Sequence, residues 1–279
     1  MTQFGRSFYK LSGSGNDFIF VDARTEPAGE LETPPVIDAL CARATGVGAD
    51  GIVFVEPPRD SGERFSIRYL NRDGSMALLC GNASLCSVRL ADELGIVDRG
   101  EDFAFGTGAG RVRGRLTSRG PEIDLQPIRD LDPAAPIELE TGEQRIGYAM
   151  VGVPHLIVRC DDIEAVDVVG RGRPLRRHAW LEAGANVNFV AKSDEGWLYR
   201  TYERGVESET LACGTGSVAV AALLAAWGET GESTSIRTRS GLWVHITLRR
   251  KDGEIWPSLS GEGRIVFRGE LPKTLPVAG

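Results

Sequence analysis

The chain has 279 residues and a net charge of −7, with 42% hydrophobic and 25% charged residues, which is ordinary for a folded globular protein. The acidic balance excludes a general attraction to nucleic acid or to anionic membranes, and no stretch has the roughly 18 apolar residues needed to span a bilayer. The N-terminal segment lacks the apolar core of a signal peptide. Five cysteines without Cys-x-x-Cys spacing argue against a disulfide framework and a structural zinc site. We therefore expect a reduced, cytoplasmic protein without a bound metal.

Segments rich in Val, Ile and Phe, bounded by glycine, predict short strands along the whole chain. In chain order they cover residues 18–21, 52–55, 65–69, 156–158, 187–190, 242–248 and 265–267. A basic run at 171–177 is expected to be a solvated loop. Residues 217–227 predict a helix that is apolar on every face and therefore lies inside a sheath of other elements. Many strands and one central helix per half predict α+β domains in which a curled sheet wraps around a helix.

The chain contains an internal duplication. Residues 68–84 and 200–217 each begin with a strand ending in Arg-x-x, which is followed by a polar loop, Leu-x-Cys-Gly and a helix. The cysteine follows the arginine by 12 positions in the first copy and by 13 in the second. A glycine stands 15 residues after each cysteine, at Gly95 and Gly228. These glycines predict left-handed C-terminal caps for the two helices.

The duplication also predicts how the chain divides into domains. The proline-rich, polar stretch at 126–136 lies between the two copies and indicates the domain junction. We expect an N-terminal half over residues 1–128 and a similar C-terminal half over residues 137–265. Residues 266–279 are a candidate for returning to complete the first half.

Cys80 and Cys213 occupy duplicate positions at the start of a predicted helix. A helix N-terminus offers unpaired N–H groups and a partial positive charge, which lower the pKa of a cysteine placed there. The glycines that follow, Gly81 and Gly214, let the backbone approach an anion closely. The two turns therefore predict a pair of sites that face one anionic ligand.

Two cysteines on opposite sides of one ligand suit a particular chemistry. Inversion of an α-carbon needs a base on one face and an acid on the other, and a thiolate and a thiol meet that need while exchanging roles with reaction direction. No pyridoxal lysine site is evident, so the carbanion has to be stabilised by other means. Both helix N-termini, aimed at the substrate carboxylate, are the most evident means. We expect epimerisation of an amino acid without a cofactor.

A set of motifs in a fixed order supports this interpretation. They are Gly15-Asn-Asp-Phe18, Gly48-Ala-Asp-Gly51, Asn71-x-Asp-Gly-Ser75, Cys80-Gly-Asn82, Pro154-His155, Asn186-Val-Asn-Phe189, Tyr202-Glu-Arg-Gly205 and Ala212-Cys-Gly-Thr-Gly216. Along nearly its whole length the chain resembles the diaminopimelate epimerases of the PLP-independent two-cysteine epimerase and racemase family. The resemblance implies two similar halves, each a sheet curled around a helix, with the active site in the cleft between them.

The resemblance also implies roles for individual residues. Cys80 and Cys213 match the catalytic acid/base pair, and His155 and Glu203 match groups that adjust the pKa values of the cysteines. Positions that match substrate-binding residues are Asn16, Asn71, Asn186, Glu203 and Arg204, together with the backbone carboxylate site at Gly81, Asn82, Gly214 and Thr215. The implied reaction converts LL-diaminopimelate to meso-diaminopimelate, for lysine and cell-wall precursor synthesis, with no cofactor. Whether the chain forms a homodimer stays open.

Three departures from the family pattern concern the substrate. Leu85 replaces an arginine, Val153 stands where an asparagine often precedes the Pro-His pair, and one extra residue lies within 206–209. They leave open a racemase or epimerase acting on another amino acid or on hydroxyproline. Two other classes also remain, a cysteine hydrolase that uses Cys213 with His155 and a non-catalytic amino-acid-binding protein. A hydrolase has no use for a duplicated second cysteine, and a binding protein needs neither thiol.

Overall fold

The computed structural model describes residues 4–272, which form eighteen strands, four α-helices and one 3-10 turn at Gly29–Glu32. The strands are β1 (Phe4–Gly13), β2 (Asn16–Asp22), β3 (Gly51–Glu56), β4 (Ser66–Asn71), β5 (Met76–Ala77), β6 (Phe103–Thr107), β7 (Gly110–Thr117), β8 (Gly120–Asp124), β9 (Arg129–Asp132), β10 (Glu143–Val151), β11 (Val153–Cys160), β12 (Asn186–Ser193), β13 (Gly196–Glu203), β14 (Ser208–Thr210), β15 (Ser233–Arg237), β16 (Trp243–Lys251), β17 (Glu254–Ser260) and β18 (Arg264–Pro272). The helices are α1 (Pro34–Cys41), α2 (Gly81–Glu93), α3 (Val168–Arg176) and α4 (Gly214–Ala226).

The chain folds as two compact units. One comprises Met1–Ile123 with Gly261–Gly279, of which residues 4–123 and 261–272 are described, and the other comprises Asp124–Ser260. Residues 266–279 are the candidate segment for returning to complete the first half, and 273–279 of that segment lie outside the described residues. No helix within 4–272 is long and apolar enough to cross a membrane.

The first unit is a mixed sheet around α2. Strand β1 pairs antiparallel with both β18 and β2, β2 runs parallel to β3, and β3 pairs antiparallel with β4. Strand β4 pairs antiparallel with β5 and parallel with β6, and β6 forms an antiparallel hairpin with β7. Helix α2 packs against β1, β2, β7 and β18, and residues 81–88 are all buried. The sheet therefore curls around the helix.

The second unit repeats this sheet strand by strand. Strand β10 pairs antiparallel with β9 and β11, β11 runs parallel to β12, and β12 pairs antiparallel with β13. Strand β13 pairs antiparallel with β14 and parallel with β15, which forms a hairpin with β16. Helix α4 packs against β10, β11, β12 and β16. The predicted fold class, two similar α+β units that each wrap a sheet around a helix, is confirmed.

One strand of each sheet comes from the chain segment just after the other repeat. Strand β9 lies just after the first repeat in the sequence and pairs with β10 of the second unit. Strand β18 lies just after the second repeat in the sequence and pairs with β1 of the first unit. Gly269 of β18 lies opposite Phe8 of β1, and a side chain on Gly269 would collide with the Phe8 ring, 2.6 Å away. The close approach of the two strands at this position requires glycine.

The two central helices begin and end alike. Cys80 is the N-cap residue of α2, with φ −134° and ψ 117°, and Cys213 is the N-cap residue of α4, with φ −128° and ψ 115°. Gly95 and Gly228 have φ of +64° and +75°. After each glycine, the next amide donates to the carbonyl five residues back at 2.9 Å. The predicted glycine caps are confirmed.

The basic run at 171–177 corrects one expectation. Most of it belongs to α3 rather than to a solvated loop. Asp167 caps this helix by accepting from the Gly170 amide at 2.9 Å, and the Arg171 guanidinium forms a 2.8 Å ion pair with Glu143. Pro174 inside the helix weakens the helical signal of the sequence, but packing of α3 against β12 and β13 outweighs this poor local propensity.

Candidate active site

The first predicted cysteine turn lies in the first unit. Cys80 is partly exposed, and its carbonyl accepts the first helical bond of α2 from the Ser84 amide at 2.9 Å. Gly81 and Asn82 are the first two helical residues, and both are buried. First-turn amides have no partner within their own helix, so this turn presents N–H groups that suit an anion.

Asn82 and Asn16, two of the predicted substrate-binding residues, lie together. The Asn82 side chain donates to the Asn16 side-chain Oδ1 atom at 2.6 Å, and the Asn16 side-chain Nδ2 atom donates to the Asp50 carboxylate at 2.9 Å. Asp50 in turn accepts from the Arg43 guanidinium at 2.7 Å. Asn16 is therefore held at both ends of its amide in a fixed orientation.

Asn71 ends β4 and closes the turn that leads toward Cys80. Its backbone N–H donates to the Ser75 carbonyl at 2.8 Å, and its side-chain amide donates to the Ser75 hydroxyl at 3.0 Å. The Asp73 carboxylate accepts from the Ser75 amide at 2.9 Å. These bonds order the loop before the cysteine and tie Asn71 to its own turn rather than to Asn16.

The second cysteine turn lies in the second unit and has the same backbone geometry. The Cys213 carbonyl accepts from the Ser217 amide at 2.9 Å, and Gly214 and Thr215 are the first helical residues of α4. Cys213 is buried, with 8% of its surface exposed, whereas Thr215 is partly exposed.

A buried tyrosine holds the second turn. The Tyr199 hydroxyl accepts from the Cys213 amide at 2.7 Å and donates to the Cys213 carbonyl at 2.8 Å. The Ser217 hydroxyl donates to the same tyrosine oxygen at 3.0 Å. Tyr199 could not be predicted from the duplication, because the residue at the equivalent position of the first repeat is Ile67.

The surroundings of Cys213 favour its protonated form. Burial raises the pKa of the Cys213 thiol well above its ordinary value, and the nearby Glu203 charge raises it further. The Thr215 hydroxyl and the Gly216 amide lower the pKa of the same thiol, and Glu203 itself accepts from the Thr210 hydroxyl. A thiol with a raised pKa keeps its proton at neutral pH, which is the form that a general acid needs.

His155 lies behind the second turn as a neutral imidazole. Burial, and secondarily the charge of Arg204, lower the pKa of His155 to about 3. The His155 Nε2 atom is 3.0 Å from the Thr215 hydroxyl oxygen, which is 3.6 Å from the Cys213 sulfur. His155 therefore contacts Cys213 through Thr215.

The remaining predicted residues of the second unit form the turn after β13. Asn186 begins β12, and its side-chain Oδ1 atom accepts from the Arg204 backbone amide at 2.7 Å. The Arg204 guanidinium donates to the Ala183 carbonyl at 3.0 Å. Asn186 thus fixes the turn that carries Glu203 and Arg204.

The other three cysteines lie away from the helix N-termini. Cys41 ends α1, Cys86 lies within α2 and Cys160 ends β11, and all three are buried. Burial raises the pKa of Cys41 to about 11, that of Cys160 to about 12 and that of Cys86 well above its usual range. These thiols have the character of packing residues. Among residues 4–272, no group of three or more His, Cys, Asp or Glu side chains has the arrangement of a metal site.

Solved structures share this architecture of two similar units. A phenazine biosynthesis protein of the PhzF family from Bacillus anthracis superposes with a TM-score of 0.73 at 16% identity, covering 95% of this chain and 98% of that one. A hydroxyproline epimerase from Agrobacterium vitis superposes with a TM-score of 0.65 at 19% identity, covering 97% and 93%. The chain therefore has the fold that the PhzF and hydroxyproline epimerase structures share.

Sequence comparison identifies the family within this fold. Residues 8–127 and 147–265 match the profile of the family described as diaminopimelate epimerase. The diaminopimelate epimerase of Gemmatimonas aurantiaca is 48% identical over 276 residues, which cover 95% of this chain and 99% of the relative. The diaminopimelate epimerase of Aquifex aeolicus is 38% identical and covers 95% and 97%. The chain belongs to the diaminopimelate epimerase family.

Proposed function

We propose that this protein is an isomerase that converts LL-diaminopimelate to meso-diaminopimelate, in the synthesis of lysine and of cell-wall precursors. The reaction uses no cofactor. Cys80 and Cys213 serve the two faces of one α-carbon, and the one that is a thiolate removes the proton while the one that is a thiol delivers another. The α-proton that leaves and the proton that arrives balance, so the thiol and the thiolate exchange roles in each turnover.

The observation that carries this proposal is the identical placement of two cysteines on duplicated helices. The backbone angles of Cys80 and Cys213 differ by 6° in φ and 2° in ψ, taken from φ −134° and ψ 117° against φ −128° and ψ 115°. A single N-cap cysteine is compatible with a nucleophile or with simple packing. Two such cysteines in equivalent repeats support a reaction that needs two bases.

Binding of the substrate uses the same turns. The helix amides at Gly81 and Asn82, and at Gly214 and Thr215, bind the α-carboxylate and the charge that develops on it during proton removal. The rest of the substrate, beyond the α-carboxylate, is bound by the side chains of Asn16, Asn71, Asn186, Glu203 and Arg204. Arg204 suits a distal carboxylate because a guanidinium forms paired, charge-assisted hydrogen bonds with one.

The test is isotope exchange at Cα. Wild-type protein incubated with LL-diaminopimelate in heavy water should incorporate deuterium and form the meso isomer, whereas Cys80→Ala and Cys213→Ala should each abolish net epimerisation. Cys86→Ala is the matched control, because Cys86 lies inside the helix that Cys80 caps and is buried there. Full two-way turnover by either single variant would exclude the two-base mechanism. Absence of exchange by the wild type would favour a binding protein.

Val153 supports a second candidate, a racemase or epimerase for another amino acid or for hydroxyproline. Val153 begins β11 as Asn16 begins β2, so this unit offers an apolar side chain where the other repeat offers an amide. The same exchange assay with proline, hydroxyproline and glutamate separates the two candidates. Faster exchange of any of these than of diaminopimelate would favour the second.

Location and assembly belong to the same proposal. Thiols that work as acid and base have to remain reduced, which suits the cytoplasm. A homodimer is the assembly to test, by measuring the molar mass of the protein with light scattering during size-exclusion chromatography. Neither property alters the role of the cysteines within one chain.

A further inference from the structure

A buried asparagine that the proposed mechanism does not use lies behind His155. Asn188 of β12 is fully buried, and its side-chain amide donates to the His155 Nδ1 atom at 3.2 Å and to the Leu156 carbonyl at 3.1 Å. Its carbonyl oxygen faces Gly216, where a side chain would collide with it. A continuous series of polar contacts thus runs from Asn188 through His155 and Thr215 to Cys213. We call this series the Asn188 relay.

The direction of each hydrogen bond in the Asn188 relay follows from its first member. The Leu156 carbonyl only accepts, so the nitrogen of the Asn188 amide has to face it, and the same nitrogen reaches His155 Nδ1. His155 is neutral and carries one ring proton, which therefore sits on Nε2 and is donated to the Thr215 oxygen at 3.0 Å. The Thr215 hydroxyl then keeps its own proton to donate, and the Cys213 sulfur, 3.6 Å from the hydroxyl oxygen, is an acceptor within reach.

The counterpart positions of the first repeat carry different residues. Phe18 pairs in register with Gly51 at the start of β3, as His155 pairs with Asn186 at the start of β12. Counting along these strands, the counterparts of His155, Asn188 and Thr215 are Phe18, Val53 and Asn82, and Asn82 is bonded to Asn16 instead. The residues at these three counterpart positions therefore do not repeat the Asn188 relay.

We infer that Asn188 is a positioning residue for the proposed reaction, because it fixes the His155 tautomer so that Thr215 always donates to the Cys213 sulfur. This inference rests on the proposed function of Cys213. With one lone pair of the sulfur held by Thr215, the thiol proton points away from the helix, and the thiolate, when it forms, already has a donor. Reversal of the tautomer would turn the Thr215 proton toward His155 and leave the thiolate without that donor.

Other polar groups act on the same thiol, and the test has to hold them constant. Glu203 on β13 raises the pKa of Cys213, Arg204 acts on His155, and the Tyr199 hydroxyl contacts the Cys213 backbone rather than its sulfur. None of these is changed by substitution of Asn188 or Thr215. Their contributions therefore remain common to every variant compared.

The first measurement is the tautomer. Nitrogen NMR of protein labelled at its three histidines should show His155 protonated at Nε2, with the assignment made by the loss of its signals in His155→Gln. Asn188→Asp should move the His155 ring proton to Nδ1, because a carboxylate at position 188 can only accept a hydrogen bond. Asn188→Leu should remove the preference of His155 for the Nε2 tautomer without adding a charge. A His155 ring protonated at Nδ1 in the wild type would overturn the inference.

The second measurement is the titration of Cys213, followed by alkylation rate against pH in a Cys80→Ala background and quantified on the Cys213 peptide. Thr215→Val should raise the midpoint by about one to two pH units, a ten- to hundredfold loss of thiolate at fixed pH, and Thr215→Ser should restore it. Thr201→Val, which removes a buried hydroxyl from β13 of the same unit, is the control and should leave the midpoint unchanged. Equal midpoints for Thr215→Val and Thr215→Ser would overturn the inference even if Asn188 variants fail to fold.

These readouts are independent of turnover. Absence of Cα exchange by the wild type would refute the proposed function whatever the tautomer. Normal exchange by the wild type, with no change of the Cys213 midpoint in Thr215→Val, would refute the Asn188 relay alone.

Discussion

Removal of the Tyr199 hydroxyl should show how far this group positions Cys213, apart from its contribution to the stability of the second unit. Tyr199→Phe takes away the acceptor of the Cys213 amide, while the Ser217 hydroxyl, no longer donating to the tyrosine, can donate to the Cys213 carbonyl at 3.0 Å. A buried donor left without a partner costs about 1–3 kcal/mol. For a chain of this length that corresponds to a fall in melting temperature of roughly 2–4 °C per kcal/mol. The N-cap should also shift, and a small displacement of a catalytic group costs up to about a hundredfold in rate.

Tyr202→Phe is the matched control for this substitution. Tyr202 lies on the same strand and is fully buried, and its hydroxyl donates to the Glu207 carboxylate at 3.2 Å rather than to the cysteine turn. Thermal unfolding and deuterium exchange at Cα should be measured on both variants. We expect both to lose stability and only Tyr199→Phe to lose kcat severely. Equal effects on kcat, or a normal kcat in Tyr199→Phe, would refute the argument that this hydroxyl positions Cys213.

Two further predictions concern Arg204 and His155. Arg204→Met should lower activity on diaminopimelate by roughly a thousandfold, because a distal carboxylate loses its ionic partner, and should lower Cα exchange of a monocarboxylic amino acid much less; equal losses on both substrates would mean that Arg204 supports the fold instead. The pKa of His155 is lowered from 6.5 to about 3, so the unfolded chain takes up this proton first as the pH falls. The stabilisation from neutral His155 is complete above pH 6.5 and is lost toward pH 3, by up to about 1.4 kcal/mol per pH unit. Urea unfolding of wild type and His155→Gln across this range should show a steeper loss in the wild type.

Much of the fold was predictable because its signals are local. Segments rich in Val, Ile and Phe with glycine boundaries predicted strands that match β2, β3, β4, β11, β12, β16 and β18. The duplicated Leu-x-Cys-Gly segments predicted both central helices with their glycine caps at Gly95 and Gly228. Helix α3 was not predicted because Gly172 and Pro174 have low helix propensity. Packing of this helix against the sheet stabilises it despite that low propensity. In the first unit, the contact between Asn16 and Asn82 joins two predicted residues that the sequence could only name separately.

The residues missed by the sequence analysis depend on strand register. Asn188 stands two positions after Asn186, so it lies on the same face of β12, but only the parallel pairing of β11 and β12 places it beside the His155 ring. Tyr199 has the same character, since its hydroxyl reaches a residue 14 positions further along the chain. Polar or aromatic residues spaced by two on an otherwise apolar strand were the available signal. The pairing register of the strands determines which partner each of these residues contacts.

The duplication also indicates where the two halves have to differ. A two-base epimerase needs one thiol and one thiolate at rest, and two identical turns would not determine which of the two cysteines holds the proton. The backbone turns have stayed alike, whereas the residues behind them have diverged, as in the replacement of Phe18 by His155 and of Ile67 by Tyr199 between the repeats. On the proposed mechanism, shared geometry therefore serves the common carboxylate of the substrate. We propose that the divergent residues behind the turns bias which of the two cysteines holds the proton before the substrate arrives.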